Sequence, residues 1–301
     1  MSLSDWVRIL VLSTVWGGSF FFIEVMLESM PPLTAVFGRL VMGLVGLLVM
    51  LRVLGHGFAP LLVHWRQFAW IGLINNAIPF SLIAFGQTHI TGSLASIINA
   101  STPIMTALVA HWLTVDERLS WNKVLGIGLG FCGVLVLFGP AAWSADATFW
   151  GMAAGLTATL CYAFGSVYSK RLKHNPPMLN ATGQVVYATV WMLPVVLWVD
   201  LPWTLPMPSS GAWLSMLAIG LLSTTFAFYL YFQVLKTAGA SNVVLVTFLV
   251  PVSASALGIL FLGERLGGQD LLAYGLIASG LAVIDGRIVK ALGILRLKSH
   301  T

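Results

Sequence analysis

Two stretches of this chain, LGIGLGFCGVLVL at residues 125–137 and LAYGLIASGLAVI at residues 272–284, match each other at a shift of 147 positions. The same shift superposes the Glu-Arg-Leu triplet that begins at Glu117 on the one that begins at Glu264. Internal sequence symmetry of this kind indicates repeated structural units. The sequence is therefore predicted to hold two homologous domains, residues 1–145 and residues 146–301.

The composition is that of a membrane protein. Hydrophobic residues make up 58% of the 301 residues, charged residues make up 8%, and the mean hydropathy is +0.92, whereas soluble domains are about half apolar. Because the hydrocarbon core of a bilayer is about 30 Å thick, a spanning helix needs about 20 apolar residues. Ten such stretches are predicted, at residues 6–27, 33–54, 67–88, 91–113, 121–140, 149–169, 179–199, 212–235, 238–262 and 270–290.

Each domain holds five of these predicted helices, an odd number, so the second domain must cross the membrane in the opposite sense to the first. The sequence thus predicts an all-α integral membrane protein with ten transmembrane helices in two inverted five-helix repeats, as in many secondary transporters. With a cytoplasmic N-terminus, thirteen of the fifteen basic residues fall on the cytoplasmic side, as the positive-inside rule requires. Both termini are therefore predicted to be cytoplasmic. The net charge of +5 follows from this topology and from anionic lipid, and it gives no reason to expect a nucleic-acid partner.

Several features together resemble one transporter family. The first predicted helix carries Trp-Gly-x-Ser from Trp16 to Ser19, the second carries Arg39, and the fourth and ninth each carry a proline followed by Glu-Arg-Leu. This set resembles the drug/metabolite transporter superfamily in its EamA-type exporter branch, and most of all the aromatic amino-acid exporters called YddG. The resemblance covers about residues 9–288. It implies efflux of a small-molecule substrate, an amino acid or a related metabolite, across a bacterial inner membrane.

Three prolines inside predicted helices, Pro79, Pro103 and Pro251, mark the expected binding region near the bilayer midplane. Proline removes the backbone hydrogen bond to the carbonyl four residues earlier. The released carbonyls are those of Asn75, Asn99 and Thr247. Interrupted helices at corresponding positions of two repeats indicate a transporter's binding site. The alternative is a structural kink whose free groups are satisfied by neighbouring hydroxyl groups.

The other predicted substrate-binding residues are polar or aromatic side chains within predicted helices. Two adjacent amides, Asn75 and Asn76, need partners inside the membrane, although an amide-mediated contact between helices is an open alternative. Trp16 and Phe20 lie one turn apart in mid-span, where they could wall a pocket or pack the core. The further candidates are Thr102, Tyr162, Ser166, Gln184, Tyr187, Trp191, Ser223 and Asn242.

Arg39 is the basic residue that the sequence places inside the membrane, about 9 Å into the second predicted helix. An arginine at this depth needs a charged partner or water. We expect an ion pair with Glu24 as a structural latch, and the open alternative is the carboxylate of a substrate. Glu24 is also the acid nearest the membrane centre and the first candidate for a proton carrier. Its place near a helix end favours uniport or exchange and argues against a cation-drug antiporter, which is the alternative function within the superfamily.

Other kinds of site are excluded by spacing. The glycine pattern from Gly128 to Gly133 follows no strand, so it is not a dinucleotide site, and the six histidines lack metal-ligand spacing. No cofactor or metal is therefore expected. An intramembrane enzyme, the alternative from another functional class, would need converging reactive groups that the predicted helices lack. Both Glu-Arg-Leu triplets are expected to be helix-end charges, and the open alternative is a role in gating.

Overall fold

The computed structural model describes residues 2–114, 121–139 and 147–285, and over these residues it is helical, without strands. We number the long helices α1 Leu3–Leu27, α2 Pro32–Val53, α3 Trp65–Gln87, α4 Gly92–Leu113, α5 Trp121–Phe138, α6 Ala147–Ser169, α7 Pro177–Val199, α8 Ser210–Ala238, α9 Ala240–Leu257 with a π-helical extension Gly258–Leu262, and α10 Gly268–Asp285. Short helices cover Ala59–Val63, Lys170–Leu172 and Pro202–Thr204.

A helix thus lies over each predicted stretch, as far as residue 285 in the last. Within the described residues, seven helices are long and apolar enough to cross a membrane: α1, α2, α3, α4, α7, α8 and the part of α9 from Leu245 to Leu262. Helices α5, α6 and α10 fall outside this set by length or hydropathy. The prediction of a multi-pass, all-helical membrane protein is therefore confirmed.

Local sequence explains where several helices begin. Ser2 and Asp5 form a reciprocal capping box at the start of α1, which satisfies backbone N–H groups that have no partner within the helix. The hydroxyl oxygens of Thr91 and Ser209 accept backbone hydrogen bonds in the same way at the starts of α4 and α8. Gly239 has φ +81° between α8 and α9, a conformation that glycine adopts without steric cost. These residues set the boundaries of the bundle.

Two of the predicted proline interruptions are present. Helix α3 contains a π-helical turn, Leu73–Ala77, shortly before Pro79. Helix α4 is interrupted at Ala100 and Ser101, shortly before Pro103. Each proline lies in the first turn of the second part of its helix. The N–H groups of a first turn have no acceptor within the helix, so the N–H that proline lacks costs that part no hydrogen bond.

The prediction of a matching break at Pro251 is wrong, because α9 continues as an α-helix through this residue. Proline removes one backbone bond, and neighbouring groups in a packed bundle can satisfy the carbonyls that it disturbs. Here the hydroxyl of Tyr274 donates to the carbonyl of Phe248, and that of Ser253 donates to the carbonyl of Leu249 at 3.1 Å. Two carbonyls of the turn that precedes Pro251, next to the Thr247 carbonyl that this proline releases, thus accept from side chains.

The irregular helix in the second part of the chain is α8, which has a π-helical turn at Leu221–Phe226 without any proline. The hydroxyl of Thr224 donates to the carbonyl of Ile219 at 3.1 Å, and that of Thr225 donates to the carbonyls of Gly220 at 3.3 Å and of Gly43 at 3.2 Å. Consecutive hydroxyl residues thus satisfy carbonyls that the wider turn leaves free.

Residue contacts give the directions of the helices. Helix α1 runs parallel to α9, because Gly17 lies against Ser253 and Gly18 against Leu257. It runs antiparallel to α8, since Thr237 near the end of α8 donates to Asp5 at 2.8 Å. We call the end of the bundle where α1 and α9 finish and α4 begins the distal end. The opposite end, where α1 begins, is the proximal end.

The most extensive contacts join helices α1–α5 to helices α6–α10. Helix α1 packs on α9, and the equivalent contact is that of α6 with α4. Helix α3 packs on α6, and the equivalent contact is that of α8 with α1. Likewise α2 packs on α7, and α5 packs on α10. The buried core therefore lies largely between the two parts of the chain rather than within either one.

The two parts of α4 pack on different helices. Helix α4 meets α9 mainly through its distal part, Gly92–Asn99, whereas its proximal part, Thr102–Leu113, packs on α6. Two open cavities of about 350 and 610 Å³ lie toward the proximal end, one between α2, α7 and α8 and the other between α3, α4 and α6. Both of these cavities thus lie at the proximal end of the bundle.

Candidate functional site

Arg39 of α2 lies against two aromatic rings. Its guanidinium carbon is 3.8 Å from the centre of the Phe80 ring of α3, and Phe80 meets Tyr162 of α6 edge to face at 6.5 Å between ring centres. The Nε atom of Arg39 is buried and has no hydrogen-bond partner in the described part of the chain. A cation over an aromatic face is stabilised by about 0.5–2 kcal/mol. This stabilisation is smaller than the free-energy cost of burying a charge. Three helices thus hold a cation whose hydrogen-bonding capacity is not used up.

The predicted latch between Arg39 and Glu24 is wrong. Among the described residues the ion pair that forms joins Arg8 to Asp5, at 3.5 Å. The carboxylate of Glu24 instead accepts a hydrogen bond from the backbone N–H of Gly92, at 2.7 Å. The start of α4 therefore takes the acceptor that we expected Arg39 to use.

The second Glu-Arg-Leu triplet does more than place a charge at a helix end. The carboxylate of Glu264, between α9 and α10, accepts from the backbone N–H of Ser93 at 3.2 Å and from the hydroxyl of Ser93. It also lies directly against Gly258. The first triplet, from Glu117, lies outside the described residues. The repeat was the sequence signal for Glu264, but spacing could not reveal its partner.

Asn75 and Asn76 of α3 share one acceptor on α7. Both side-chain amides donate to Oε1 of Gln184, at 2.9 and 3.1 Å. Asn76 is 1% exposed, and Asn75 packs against Gly165 of α6. This arrangement matches the alternative in which the amides join helices, and a contact with substrate stays a prediction.

The break in α4 leaves one polar atom without a partner. The hydroxyl of Thr102 donates to the carbonyl of Asn99 at 2.7 Å, so the carbonyl released by Pro103 is satisfied locally. The side-chain Oδ1 of Asn99 is buried and has no hydrogen-bond partner in the described part of the chain. Because an unmade buried hydrogen bond costs about 1–3 kcal/mol, such an acceptor is suited to a donor from outside the protein.

Trp16 lies beside an aromatic residue that we had not predicted. Its ring centre is 5.7 Å from that of Tyr231 on α8, with the ring planes tilted by 39°. Phe20 is buried, and its backbone carbonyl accepts from the side-chain amide of Gln87 at 2.8 Å. Tyr231 follows the π-helical turn of α8, and no periodicity in the sequence singles it out.

Other predicted residues make contacts that join helices. Tyr187 donates to the carbonyl of Leu61 at 3.2 Å, and the Trp191 indole donates to that of Ala69 at 2.9 Å. Ser223 donates to the carbonyl of Val15 at 2.7 Å. The side chains of Trp191, which is 45% exposed, and of Ser166 are both exposed, and that of Thr247 is half-buried. The side chain of Asn242 lies outside the described residues. Substrate contacts of these residues stay predictions.

Comparison with known proteins places the chain in a family. The model of the EamA-like transporter family matches residues 6–139 and again residues 149–285. The chain is 25% identical to the uncharacterized transporter YoaV of Bacillus subtilis (strain 168) over 279 residues, covering 91% of this chain and 94% of the relative. It is 25% identical to the uncharacterized inner membrane transporter YedA of Escherichia coli (strain K12), covering 91% and 88%.

A third relative carries a more specific name. The chain is 27% identical to a probable amino-acid metabolite efflux pump of Salmonella typhimurium (strain LT2) over 299 residues, covering 94% of this chain and 95% of the relative. One solved crystal structure, titled only as that of a protein, superposes with a TM-score of 0.67 over 93% of this chain and 96% of that chain, at 19% identity. That structure shows the fold alone. The chain belongs to the EamA-like transporter family, and it is a multi-pass inner-membrane transporter rather than an enzyme.

Proposed function

We propose that this transporter exports amino acids or related small metabolites by alternating access, with a substrate pocket between two inverted five-helix repeats. The double match to the family model supports the repeat. So does the helix pairing, because exchanging α1–α5 with α6–α10 turns each principal contact into another principal contact or leaves it unchanged. The efflux pump among the relatives supports the class of substrate.

The orientation follows from charge. Among the described residues, the basic side chains of the helix ends and loops lie at the proximal end, apart from Arg265 at the distal end. The positive-inside rule makes the proximal end cytoplasmic, and the distal end then faces the periplasm. Because α4 meets α9 at the distal end and both cavities lie at the proximal end, we assign this arrangement to the state that takes up substrate from the cytoplasm.

The single observation that carries the proposal is the unpaired cation of Arg39. An amino acid brings a carboxylate that accepts hydrogen bonds and an ammonium that donates them. Arg39 offers an unused donor, Nε, and Asn99 offers an unused acceptor, Oδ1. Two unused groups of opposite character suit a zwitterion, and Trp16 with Tyr231 offers aromatic surface for its side chain. Cation efflux, the alternative within the superfamily, is disfavoured because a cation beside Arg39 would be repelled.

The test is uptake of labelled neutral amino acids, from small polar to aromatic, into liposomes that contain the purified protein. We expect saturable uptake, and we expect Arg39→Gln to raise the half-saturating concentration about ten- to hundredfold, because a hydrogen bond to a charged group contributes about 1.5–3 kcal/mol. Arg39→Lys keeps the charge but loses the planar donor geometry and should be intermediate. Arg66→Gln is the matched control, since Arg66 lies over Trp65 at the proximal end.

Two results would overturn the proposal. Absence of saturable uptake of any amino acid would remove the substrate class. Equal uptake by the Arg39→Gln and Arg66→Gln variants would remove Arg39 from the binding site.

A further inference from the structure

Two glutamates from distant parts of the chain hold the start of one helix at the distal end. Gly92 and Ser93 are the first two residues of α4, and their adjacent backbone N–H groups donate to different carboxylates. Glu24 of α1 accepts from Gly92 at 2.7 Å, and Glu264, between α9 and α10, accepts from Ser93 at 3.2 Å. The positive end of a helix dipole favours such acceptors. The start of α4 is thereby tied to α1 and to the end of α9 at once.

Both carboxylates are closely packed against glycines. A Cβ atom at Gly92 would lie 2.7 Å from Oε2 of Glu24 and 3.1 Å from Nε2 of Gln87. The carboxylate and the Gln87 amide therefore border the same point. On its other side, the carboxylate of Glu264 fills the space beside Gly258. Glu24 thus packs against the start of α4, and Glu264 packs against the π-helical end of α9.

The two carboxylates accept from the backbone N–H groups of consecutive residues, so they are held close together. Ionised carboxylates only accept hydrogen bonds, so a hydrogen bond from one to the other would need a proton. Two like charges held close together away from bulk water repel each other, and this repulsion favours one shared proton.

Gln87 gives a second, independent sign of a missing donor. It is 7% exposed, its Nε2 donates to the carbonyl of Phe20, and its Oε1 atom has no hydrogen-bond partner in the described part of the chain. The neighbouring side chains of Glu24 and Glu264 offer acceptors only. A proton on the pair supplies the kind of group that this cluster lacks.

The other charged groups near the pair do not replace the proton. Glu28, one turn along α1, adds a further negative charge to the surroundings of Glu24. Arg265 follows Glu264 in the chain, but its side chain is exposed and forms no ion pair among the described residues. Asp270 of α10 accepts from the backbone N–H of Gly267 at 2.8 Å. From α3 and α4 the pair meets Gln87, Gly92 and Ser93, which do not titrate.

We propose that Glu24 and Glu264 bind one proton between them, and that this shared proton latches the periplasmic end of α4 to α1 and α9. Loss of the proton leaves two negative charges in contact, and their repulsion separates α4 from α9 and opens the periplasmic side. Binding of a proton from the periplasm closes it again. The latch rests on the orientation and the alternating access proposed above, and it adds a site at which protons can act on transport.

The test measures access to a residue beneath the latch and needs no substrate. Ser96 lies one turn further into α4, is fully buried, and donates to the carbonyl of Ser93 at 2.6 Å. Ser96→Cys is introduced into a chain whose two cysteines, Cys132 and Cys161, are replaced by serine. Intact cells that express the variant are treated with a membrane-impermeant maleimide at different external pH values, and the labelling rate is measured.

The labelling rate of any thiol rises with pH as thiolate forms, so the reference is the same chain with Glu24→Gln. A glutamine donates to Glu264 and accepts from Gly92 without needing a proton, so this latch should stay closed. The labelling rate of the chain that keeps Glu24, divided by the rate of the Glu24→Gln chain, should rise about tenfold or more between about pH 6 and about pH 9. Glu28→Gln makes the same change of charge on the same helix and should keep the response, whereas Glu24→Ala should label fast at every pH.

A ratio that stays constant with pH would overturn the latch, and so would loss of the response in the Glu28→Gln chain. Gel filtration of each purified variant shows whether it remains folded, and the Glu24→Gln chain, with its matched shape, keeps the comparison valid if the alanine chain does not fold. Because no substrate enters the assay, failure of the latch leaves the Arg39 uptake result standing.

Discussion

Addition of one methyl group at Gly126 should separate α5 from α10. A Cβ atom at this residue would lie 2.5 Å from the carbonyl oxygen of Gly280 and 2.6 Å from Cγ1 of Ile284. The carbonyl belongs to a helix backbone, so it cannot rotate away as a side chain could. The two helices must therefore move apart by several tenths of an ångström, which weakens the packing along the glycine face of α5.

The same helix provides a matched control. Gly128, two residues later, has nothing within 4 Å of its Cβ position. Replacement by alanine favours the helical conformation by about 1 kcal/mol at either residue, so this gain cancels in the comparison. What remains is the cost of overpacking, about 1–3 kcal/mol. Gly126→Ala should be less stable than Gly128→Ala by that amount.

The assay is thermal unfolding of both variants, purified in the same detergent and followed by loss of the folded peak in gel filtration. A difference of 1–3 kcal/mol corresponds to a gap on the order of 5 °C in midpoint temperature. Gly280→Ala should repeat the loss, because its Cβ would lie 2.5 Å from the carbonyl oxygen of Gly126. Equal midpoints for Gly126→Ala and Gly128→Ala would refute the close contact between α5 and α10.

Two further predictions concern bonds between distant parts of the chain. Gln184→Leu leaves the amides of Asn75 and Asn76 without their shared acceptor, so we expect a loss of about 1–3 kcal/mol in the same thermal assay, and unchanged stability would show that the amides find other partners. Asp200→Ala removes the acceptor for the backbone N–H and the hydroxyl of Thr34, both at 2.7 Å, and should cost about 0.5–2 kcal/mol, as loss of a helix cap does; a melting point equal to the parent's would contradict this.

Hydropathy and internal repetition were sufficient to predict the helices, because long apolar segments and matched glycines are local properties of a sequence. The same information did not predict which helices would be irregular. Helix α9 continues through Pro251 without a break, whereas Leu221–Phe226 of α8 forms a π-helical turn with no proline nearby. Packing and hydroxyl donors from other helices decide both cases, and neither is visible in local sequence.

The sequence predicted several residues of the candidate site, but it did not predict which residues they contact. Arg39 was expected inside the membrane; it lies within the candidate span α2, over Phe80 and without Glu24. Glu24 was expected to matter, and it accepts from the start of α4, next to the residue that Glu264 contacts. A partner from an element more than 200 residues away cannot be read from spacing, since it depends on how the helices pack.

The packing of α1–α5 against α6–α10 has a consequence for how the protein is made. The side-chain amide of Asn75 has no acceptor until Gln184, 109 residues later in the chain, has been synthesised. At a synthesis rate of about 5–20 residues per second, the amides of α3 remain without this partner for about 5–20 seconds. The early helices must therefore be sheltered by the insertion machinery until α7 arrives, and a chain that stalls before α7 exposes unsatisfied amides to lipid. Such a chain carries a direct physical mark by which quality control could recognise it.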